Sequence, residues 1–562
     1  MELCIDGLRV TPRPGQSLRD LILQEGLDRE SLSARPIAAK IAGEVFNLNY
    51  IPVRQKDTLE DRVSIRRAMA ASQGQVHLLT CSDPSGRDVY GRTAQFILAL
   101  ALEQLWPEGR AQLYGTVGAA IFGRVTGIQD FSAHRLKERI GQLVAEDIPL
   151  VRQRLSTADA IDRFRRAGQE DKARLLSWRK KETFDVYMHG QFADYYYGEL
   201  APSTGYMRVW DVLPAEDGFL FLYPDDNDPD RVAEYEALPK LFGVIREAER
   251  WRALMGCEMI ADLNDAVQSG KIRELIRVNE ALHEKRFSQI ADAAQNAKVI
   301  MLAGPSSSGK TTSANRLATQ LQVQGKKPIL MSLDDYYIDR DRIPVDADGK
   351  QDLEHINTID TALFREHITR LLAGEQIELP TFNFLTGKRE WKGHMLRLTE
   401  DSVIIVEGLH ALNPVLLPKN VEGIFKIYVC PLLPLNMDDH NWIPASYLRL
   451  LRRIVRDYET RGATVQKTIS MWDSVRRGEK RWIFPFQEQA DVIFNSATLY
   501  ELSLLKKHIF PLLTAVEPED PAYEQVRAIV KVLNYVLETD ADDEIPATSI
   551  VREFIGGNSY YR

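Results

Sequence analysis

The run AKVIMLAGPSSSGKTTSANRLATQLQ, residues 297 to 322, constrains the fold more than any other part of the chain. An apolar β-type segment leads straight into Gly304, Gly309, Lys310 and Thr311, and a helix-type segment follows. The pattern G-x-x-x-x-G-K-[ST] between strand and helix is a P-loop. Glycine lets the backbone turn so that successive N–H groups face phosphate oxygens, and the following helix adds the positive end of its dipole. Lys310 supplies a mobile cation, and the Thr311 hydroxyl is placed to ligate Mg²⁺. Gly304, Pro305, Ser306, Ser307, Ser308, Gly309, Lys310, Thr311 and Thr312 form the expected phosphate cradle.

Composition sets the broad class. With 562 residues, 44% of them apolar and 27% charged, the chain can bury several cores and is expected to divide into about three or four domains. The longest apolar runs, such as FILALAL at 96–102, are too short to span a bilayer. MELCIDGLRV lacks the basic start and apolar core of a signal peptide, so the expected location is the cytoplasm, with no membrane partner. Cys4, Cys81, Cys257 and Cys430 lie far apart without a C-x-x-C pair, as reduced structural thiols would. The balance of 71 basic against 80 acidic residues leaves −9, which argues against nucleic-acid binding through bulk charge but leaves room for a local basic patch.

The organisation changes along the chain. Residues 1–62 read as a small β-rich unit with one helix from Ser17, ending in a further strand. Residues 63–235 are mixed and close at the turn-rich YPDDNDPDR. Residues 236–292 are charged and helical in period, a helical connector. Over 293–515 the β-type runs KVIMLAG, KPILMSL, SVIIVEG, FKIYVC and ADVIFN alternate with helical stretches, which implies an α/β unit with a parallel sheet covered by helices on both faces. Residues 516–562 read as a C-terminal helical extension, with Gly556 and Gly557 as helix stops.

The second strand of that unit runs into Asp334, Asp335, Tyr336 and Tyr337, and strand ends are where open parallel sheets place their chemistry. A carboxylate there can accept the proton of an attacking hydroxyl, so Asp334 is the candidate base. The competing reading is that Asp334 or Asp335 caps the next element. The third strand ends in Glu407, suited to Mg²⁺ or its bound water. In SYLRLLRRIVRDYETRG, helical spacing places Tyr447, Leu451, Ile454 and Tyr458 on one face for packing. Arg449, Arg452, Arg453 and Arg456 fall on the opposite face, where they can meet phosphate or simply face solvent. Fixed cations suit phosphoryl transfer because charge develops on the transferred group.

Taken together, residues from about 297 to 500 resemble the uridine kinase and phosphoribulokinase family of P-loop kinases. The matches are GPSSSGKTT, SLDDYY, PTFNF with Arg389 after it, IIVEG, and RLLRRIVRD with Arg461 and Gly462. The resemblance implies phosphorylation of an alcohol by ATP with Mg²⁺, the acceptor being the 5′-hydroxyl of a nucleoside. It implies catalytic roles for Asp334, Lys310, Arg453 and Arg456, and metal ligation by Thr311 and Glu407. Tyr337, Glu354, Phe382, Arg389 and Arg461 fall at substrate positions, with Glu354 in place of a ribose-binding aspartate. Phe382 stands where the family has the tyrosine of a Y-D-F motif, and Gly387 where it has a base-contacting histidine; two lid positions are changed to Ala463 and Met471. A pocket without buried hydrogen-bonding partners discriminates less, so the alcohol acceptor is better supported than uridine itself.

The first 235 residues resemble the N-terminal half of threonyl-tRNA synthetases. Asp6, Gly7 and AKIAGEVFNL match a TGS domain of β-grasp fold, while YGRTAQFILALALEQLWPE, HRLKERIGQLVAEDIPLVRQRL and APSTGY match the α+β second additional domain. The synthetases edit mischarged tRNA there through an H-x-x-x-H pair and a later Cys/His pair; this chain has Arg92, Phe96, Tyr196 and Leu200. Hydrolytic editing is therefore expected to be absent, with the fold kept for tRNA or regulatory-ligand binding or for contacts between copies. His189, a lone histidine, is expected to be structural. A second function class follows, a tRNA- or ribosome-associated factor switched by nucleotide, suggested by this front half and by the basic stretch RFRRAGQEDKARLLSWRKK at 163–181. Asp334, the arginine helix and PTFNF supply an acceptor site that a pure switch would not need, which favours the kinase.

Overall fold

The computed structural model describes residues 2–52, 72–215, 217–343, 352, 354–417, 421–432 and 435–560. They fall into two units, Met1–Ala237 with Asn436–Trp442, and Leu238–Leu435 with Ile443–Arg562.

The first unit begins with β1 (Leu3–Ile5) and β2 (Leu8–Val10), joined through the positive-φ residues Asp6 and Gly7. Helix α1 (Leu18–Gln24) starts at Ser17, whose side chain accepts the Asp20 N–H. β3 (Ala38–Ile41), β4 (Glu44–Asn47) and β5 (Gln75–Leu79) complete a sheet of order β2-β1-β5-β3-β4. Its central strand β5 lies past residue 62, so this layer runs beyond the boundary expected from the sequence. The strand is short, and only Val76 and Leu79 of it are buried, too faint an alternation to stand out in a mixed region. Of the small β-rich unit expected from the sequence over residues 1–62, residues 53–62 lie outside the described residues.

Next come α2 (Pro84–Leu105), β6 (Arg110–Val117), β7 (Ala120–Thr126), α3 (Ala133–Ala145), β8 (Arg152–Ser156), α4 (Thr157–Arg166), α5 (Glu170–Ser177), β9 (Thr183–His189), β10 (Phe192–Asp194), β11 (Asp211–Ala215) and β12 (Gly218–Leu222). They form antiparallel sheets of order β10-β9-β8 and β11-β12-β7-β6, an α+β arrangement. Helix α2, apolar over its second half, runs through the core of this layer. The segment Asn436–Trp442 is tied into it by buried charge: His440 Nδ1 lies 2.6 Å from Asp194 Oδ2 and 3.0 Å from Lys172 Nζ, and Tyr195 donates its hydroxyl to Asp438 at 2.5 Å.

The second unit opens with α6 (Pro239–Met255), α7 (Ile260–Gln268) and α8 (Ile272–Ala293). β13 (Val299–Ala303), α9 (Lys310–Val323), β14 (Lys327–Ser332), α10 (Thr361–Leu372), the hairpin β15 (Ile377–Asn383) and β16 (Lys388–Leu396), β17 (Ser402–Glu407) and β18 (Ile424–Cys430) follow. α11 (Ala445–Arg461), α12 (Val465–Trp482), β19 (Val492–Asn495), α13 (Glu501–Thr514), α14 (Tyr523–Leu533) and α15 (Arg552–Ile555) complete it. The five apolar runs read from the sequence are the five strands of one parallel sheet, order β14-β17-β13-β18-β19. β13 is buried along its whole length, as a central parallel strand covered on both faces must be. Its C-terminal end is a topological switch point, the crevice where open α/β sheets bind ligands. The connector and the C-terminal extension are part of this core: Phe287 and Ile290 of α8, and Ile550 and Phe554 near the C-terminus, pack with Ile300, Leu302 and Leu317. Each such fully buried side chain contributes roughly 1.5–3 kcal/mol. No helix among the described residues is long and apolar enough to cross a membrane.

Candidate active site

The loop after β13 turns through Ser307 (φ +57°) and Gly309 (φ +84°), and Gly309 caps α9 in the left-handed conformation that glycine adopts without cost. Gly304 answers a different need, because a Cβ there would lie 2.2 Å from the Val429 carbonyl oxygen on β18. Lys310 Nζ curls back to donate to the Pro305 carbonyl at 3.1 Å. Burial holds its ammonium below the usual lysine range against the pull of Glu407, Asp334 and Glu553.

Helix α11 is fastened to this loop. Arg449 donates to the Ser306 carbonyl at 3.2 Å and to Glu479 Oε2 at 2.7 Å, while Glu479 Oε1 accepts the Ser306 N–H at 3.1 Å. Arg452, fully buried, donates to the Ser307 and Ser496 carbonyls at 3.3 and 2.8 Å and pairs with Glu501. Arg453 Nη1 donates to Ser306 Oγ at 3.0 Å. Leu451 and Ile454 pack inward as the helical spacing implies, but Tyr458 is 49% exposed, and on the arginine face Arg449, Arg452 and Arg453 are buried as well, with Arg456 half-buried. Helical period alone cannot show this, because the carboxylates that offset the buried charge sit on α12 and α13. Asp457 gathers the remaining cations: Arg456 at 2.8 Å, Arg453 at 3.3 Å and Arg461 at 3.6 Å.

Across from Lys310, the two aspartates after β14 have separate duties. Asp335 Oδ1 accepts the Phe382 N–H at 3.2 Å, tying β15 to the turn. The cap falls to Ser332, whose hydroxyl accepts the Asp334 N–H at 3.3 Å. The Asp334 carboxyl itself has no hydrogen-bond partner among the described residues. Burial raises its pKa above the usual carboxylate range, against the opposing fields of Lys310, Arg461 and Arg456. Glu407, ending β17, accepts from Ser332 Oγ at 2.9 Å, and burial together with the Asp334 charge pushes it up to about 7. Glu354 is likewise pushed up to about 7, by burial and by Glu479, and its Oε2 is buried without a hydrogen-bond partner among the described residues.

An aromatic wall flanks these groups, with ring centroids 5.5 Å apart for Tyr337 and Phe382, 6.2 Å for Tyr337 and Phe384, and 5.1 Å for Phe382 and Phe384. Arg389 is occupied: it donates to Asp360 Oδ2 at 3.0 Å and to the Tyr336 and Tyr337 carbonyls at 3.1 and 3.0 Å, fixing the segment that carries Tyr337. Gly387 has φ +68°, and a Cβ there would lie 2.9 Å from Cβ of Arg340, so a histidine at this position would be strained. Sequence reasoning missed Glu479, Glu501, Asp457 and Glu553. In RRGEKR and RDYETR such residues look like ordinary solvated charge, and the arginine stripe was the one signal that buried acidic partners were needed.

A turn of backbone donors at the switch point, cations beside it and an unpartnered carboxyl opposite are the means of moving a phosphoryl group, and the class they define is that of P-loop phosphotransferases. The model of the phosphoribulokinase / uridine kinase family matches residues 299–503. The uridine kinase of Proteus mirabilis is 30% identical over 207 residues, spanning 36% of this chain and 89% of the relative. That of Borrelia garinii subsp. bavariensis is 31% identical over 221 residues, spanning 38% and 96%. The solved structure of a possible uridine kinase from Bacillus stearothermophilus shares 19% identity over 38% of this chain and 98% of its own, with a TM-score of 0.27. The chain belongs to the phosphoribulokinase / uridine kinase family and is a small-molecule kinase.

Proposed function

We propose that the chain transfers the γ-phosphoryl group of ATP to the 5′-hydroxyl of a nucleoside. The observation that carries this reading is the Asp334 carboxyl, without a hydrogen-bond partner among the described residues and in the field of Lys310, Arg456 and Arg461. Such a group can take the acceptor's hydroxyl proton as the P–O bond forms, and its raised pKa makes it a stronger base once ionised. Lys310, Arg453 and Arg456 then meet the charge that develops on the transferred group, while Arg461 is held near them by Asp457. Tyr337, Phe382 and Phe384 offer ring faces to a planar base, and stacking tolerates every base, in keeping with the lack of polar groups at Phe382 and Gly387. Glu354 is the acceptor for ribose hydroxyls, and Arg389 serves by positioning Tyr337. Thr311 and Glu407 suit a hard cation, since Glu407 is a carboxyl crowded by Asp334 whose charge a cation would offset. Mg²⁺ held there would neutralise phosphate charge.

The front half is read as a TGS-like β-grasp layer and a synthetase-editing-like layer whose hydrolytic site is filled. In support, the Phe96 ring stands edge-on to Tyr196 at 6.4 Å and to Phe192 at 5.5 Å, Leu200 is fully buried, and Arg92 donates to the Glu199 carbonyl at 3.1 Å. Its role in this reading is to bind tRNA or a regulatory ligand, or to join two copies.

A nucleoside panel with γ-labelled ATP tests the main reading, the expected result being label on a nucleoside. ATP consumed only by water would overturn it. Salt-sensitive tRNA retention at two salt concentrations without acceptor labelling would favour the nucleotide-switched factor instead.

A further inference from the structure

The C-terminal segment places a carboxylate on the phosphate loop. Glu553 Oε2 accepts the Thr312 N–H at 3.1 Å and the Thr312 hydroxyl at 2.7 Å, and Asn558 donates to that hydroxyl oxygen at 3.1 Å. Thr312 lies in the first turn of α9, where backbone N–H groups have no acceptor within the helix and where a bound phosphate finds them. The other carboxylate on this loop, Glu479, is neutralised by Arg449 and Arg476. No lysine or arginine of the described residues lies within ion-pairing distance of Glu553; its hydrogen bonds come from the two Thr312 donors at the helix end, and Lys310 feels its charge from farther away. Its place is set by apolar neighbours on either side. Ile550 rests against Gly309, where a Cβ would come within 2.4 Å of Ile550 Cγ2, and Phe554 is buried beneath the Arg452 guanidinium at 4.9 Å.

We propose that Glu553 is a built-in competitor for nucleotide phosphate at Thr312, so that a bound triphosphate takes the Thr312 N–H and hydroxyl and the carboxylate swings out while Ile550 and Phe554 stay seated. Two anions cannot share one pair of donors, and the charge-assisted bonds given up by the carboxylate are subtracted from those gained by the phosphate. The C-terminal segment thereby sets how much nucleotide the enzyme needs. The inference rests on the nucleotide-binding reading of the loop.

The test is calorimetric binding of ATP, and of pyrophosphate as a probe lacking base and sugar, to the full-length wild type, Glu553→Gln and Glu553→Ala. Both variants are expected to bind both probes about tenfold more tightly, the equivalent of one strong hydrogen bond. Hydrogen exchange of the peptide containing Thr312 gives a second readout: faster in nucleotide-free Glu553→Ala than in wild type, and equal once ATP is bound. Unchanged or weaker affinity in both variants, with their thermal unfolding intact, overturns the proposal alone. Failure of all three proteins to bind ATP overturns the reading of the loop and the proposal with it.

Discussion

Glu479 accepts the backbone N–H of Ser306 at 3.1 Å with one carboxylate oxygen and Arg449 Nη2 at 2.7 Å with the other, so a single buried group on α12 fixes both the phosphate loop and the helix beside it. The pair stands away from water, Arg449 at 2% exposure and Glu479 at 0%. Two buried charges persist there because each is hydrogen-bonded, and either one left alone would be costly.

Removing the carboxylate should therefore cost more than removing the pair. Glu479→Ala is expected to lower stability by about 3 kcal/mol, seen in urea titration as an earlier midpoint for the second unit. Arg449→Met combined with Glu479→Leu should recover most of that loss. Equal damage from the single and double variants would mean that the pair matters only through shape.

Asp334→Asn keeps the shape and removes the carboxylate proposed as the base. Turnover is expected to fall by about two to four decades while nucleotide affinity, measured by calorimetry, stays within a few-fold. Lys310→Ala should instead impair nucleotide affinity and turnover together. Near-normal turnover in Asp334→Asn would shift the proton to another group, and Asp335 is poorly placed for it because the Phe382 N–H already holds its carboxylate.

Asp457 is the one acidic residue that Arg453, Arg456 and Arg461 share among the described residues. Its neutral isostere, Asp457→Asn, leaves the three like charges to repel and drift. The expected result is a fall in kcat of about ten- to a hundredfold, with a smaller change in the KM for ATP, because a misplaced cation loses transition-state more than ground-state stabilisation. Asp457→Glu should restore part of it, which a merely structural defect at the helix end would not predict.

The sequence carried those parts of the site that depend on local pattern. Five apolar runs became the five parallel strands, the signal being strongest for β13 and β17, which are covered on both faces, and Asp334 and Glu407 were visible because one follows β14 and the other ends β17. Partners that come together only in the folded chain were not visible. Glu479 and Glu501 meet Arg449 and Arg452 from other helices, and Glu553 reaches Thr312 across 241 positions of sequence. Strand β5 escaped for the opposite reason, its buried residues being too few to mark a period. Arg389 looked like a substrate ligand because nothing local reveals that two carbonyls and Asp360 already occupy it.

Glu354 gives the site a pH dependence whose direction is fixed. Burial and the nearby Glu479 charge raise its pKa from 4.5 to about 7, so between these values the folded chain holds a proton that the unfolded chain releases. Its contribution to stability therefore declines as pH rises across that window, and the decline is complete above about pH 7. Glu354→Gln abolishes this dependence. At pH 5 the variant and wild type should unfold at similar temperatures, and at pH 8 the variant should be the more stable by about 2 kcal/mol, a figure reduced from the full shift because the group has some access to solvent. In its proposed role the same carboxylate must be ionised to accept ribose hydroxyls strongly. In wild type the KM for the nucleoside should fall between pH 6 and 8, whereas in Glu354→Gln it should be high and flat. Wild type more stable than Glu354→Gln at pH 8, with the two converging toward pH 5, would show instead that the carboxylate is held charged in the fold, and the nucleoside KM of wild type would then be flat between pH 6 and 8.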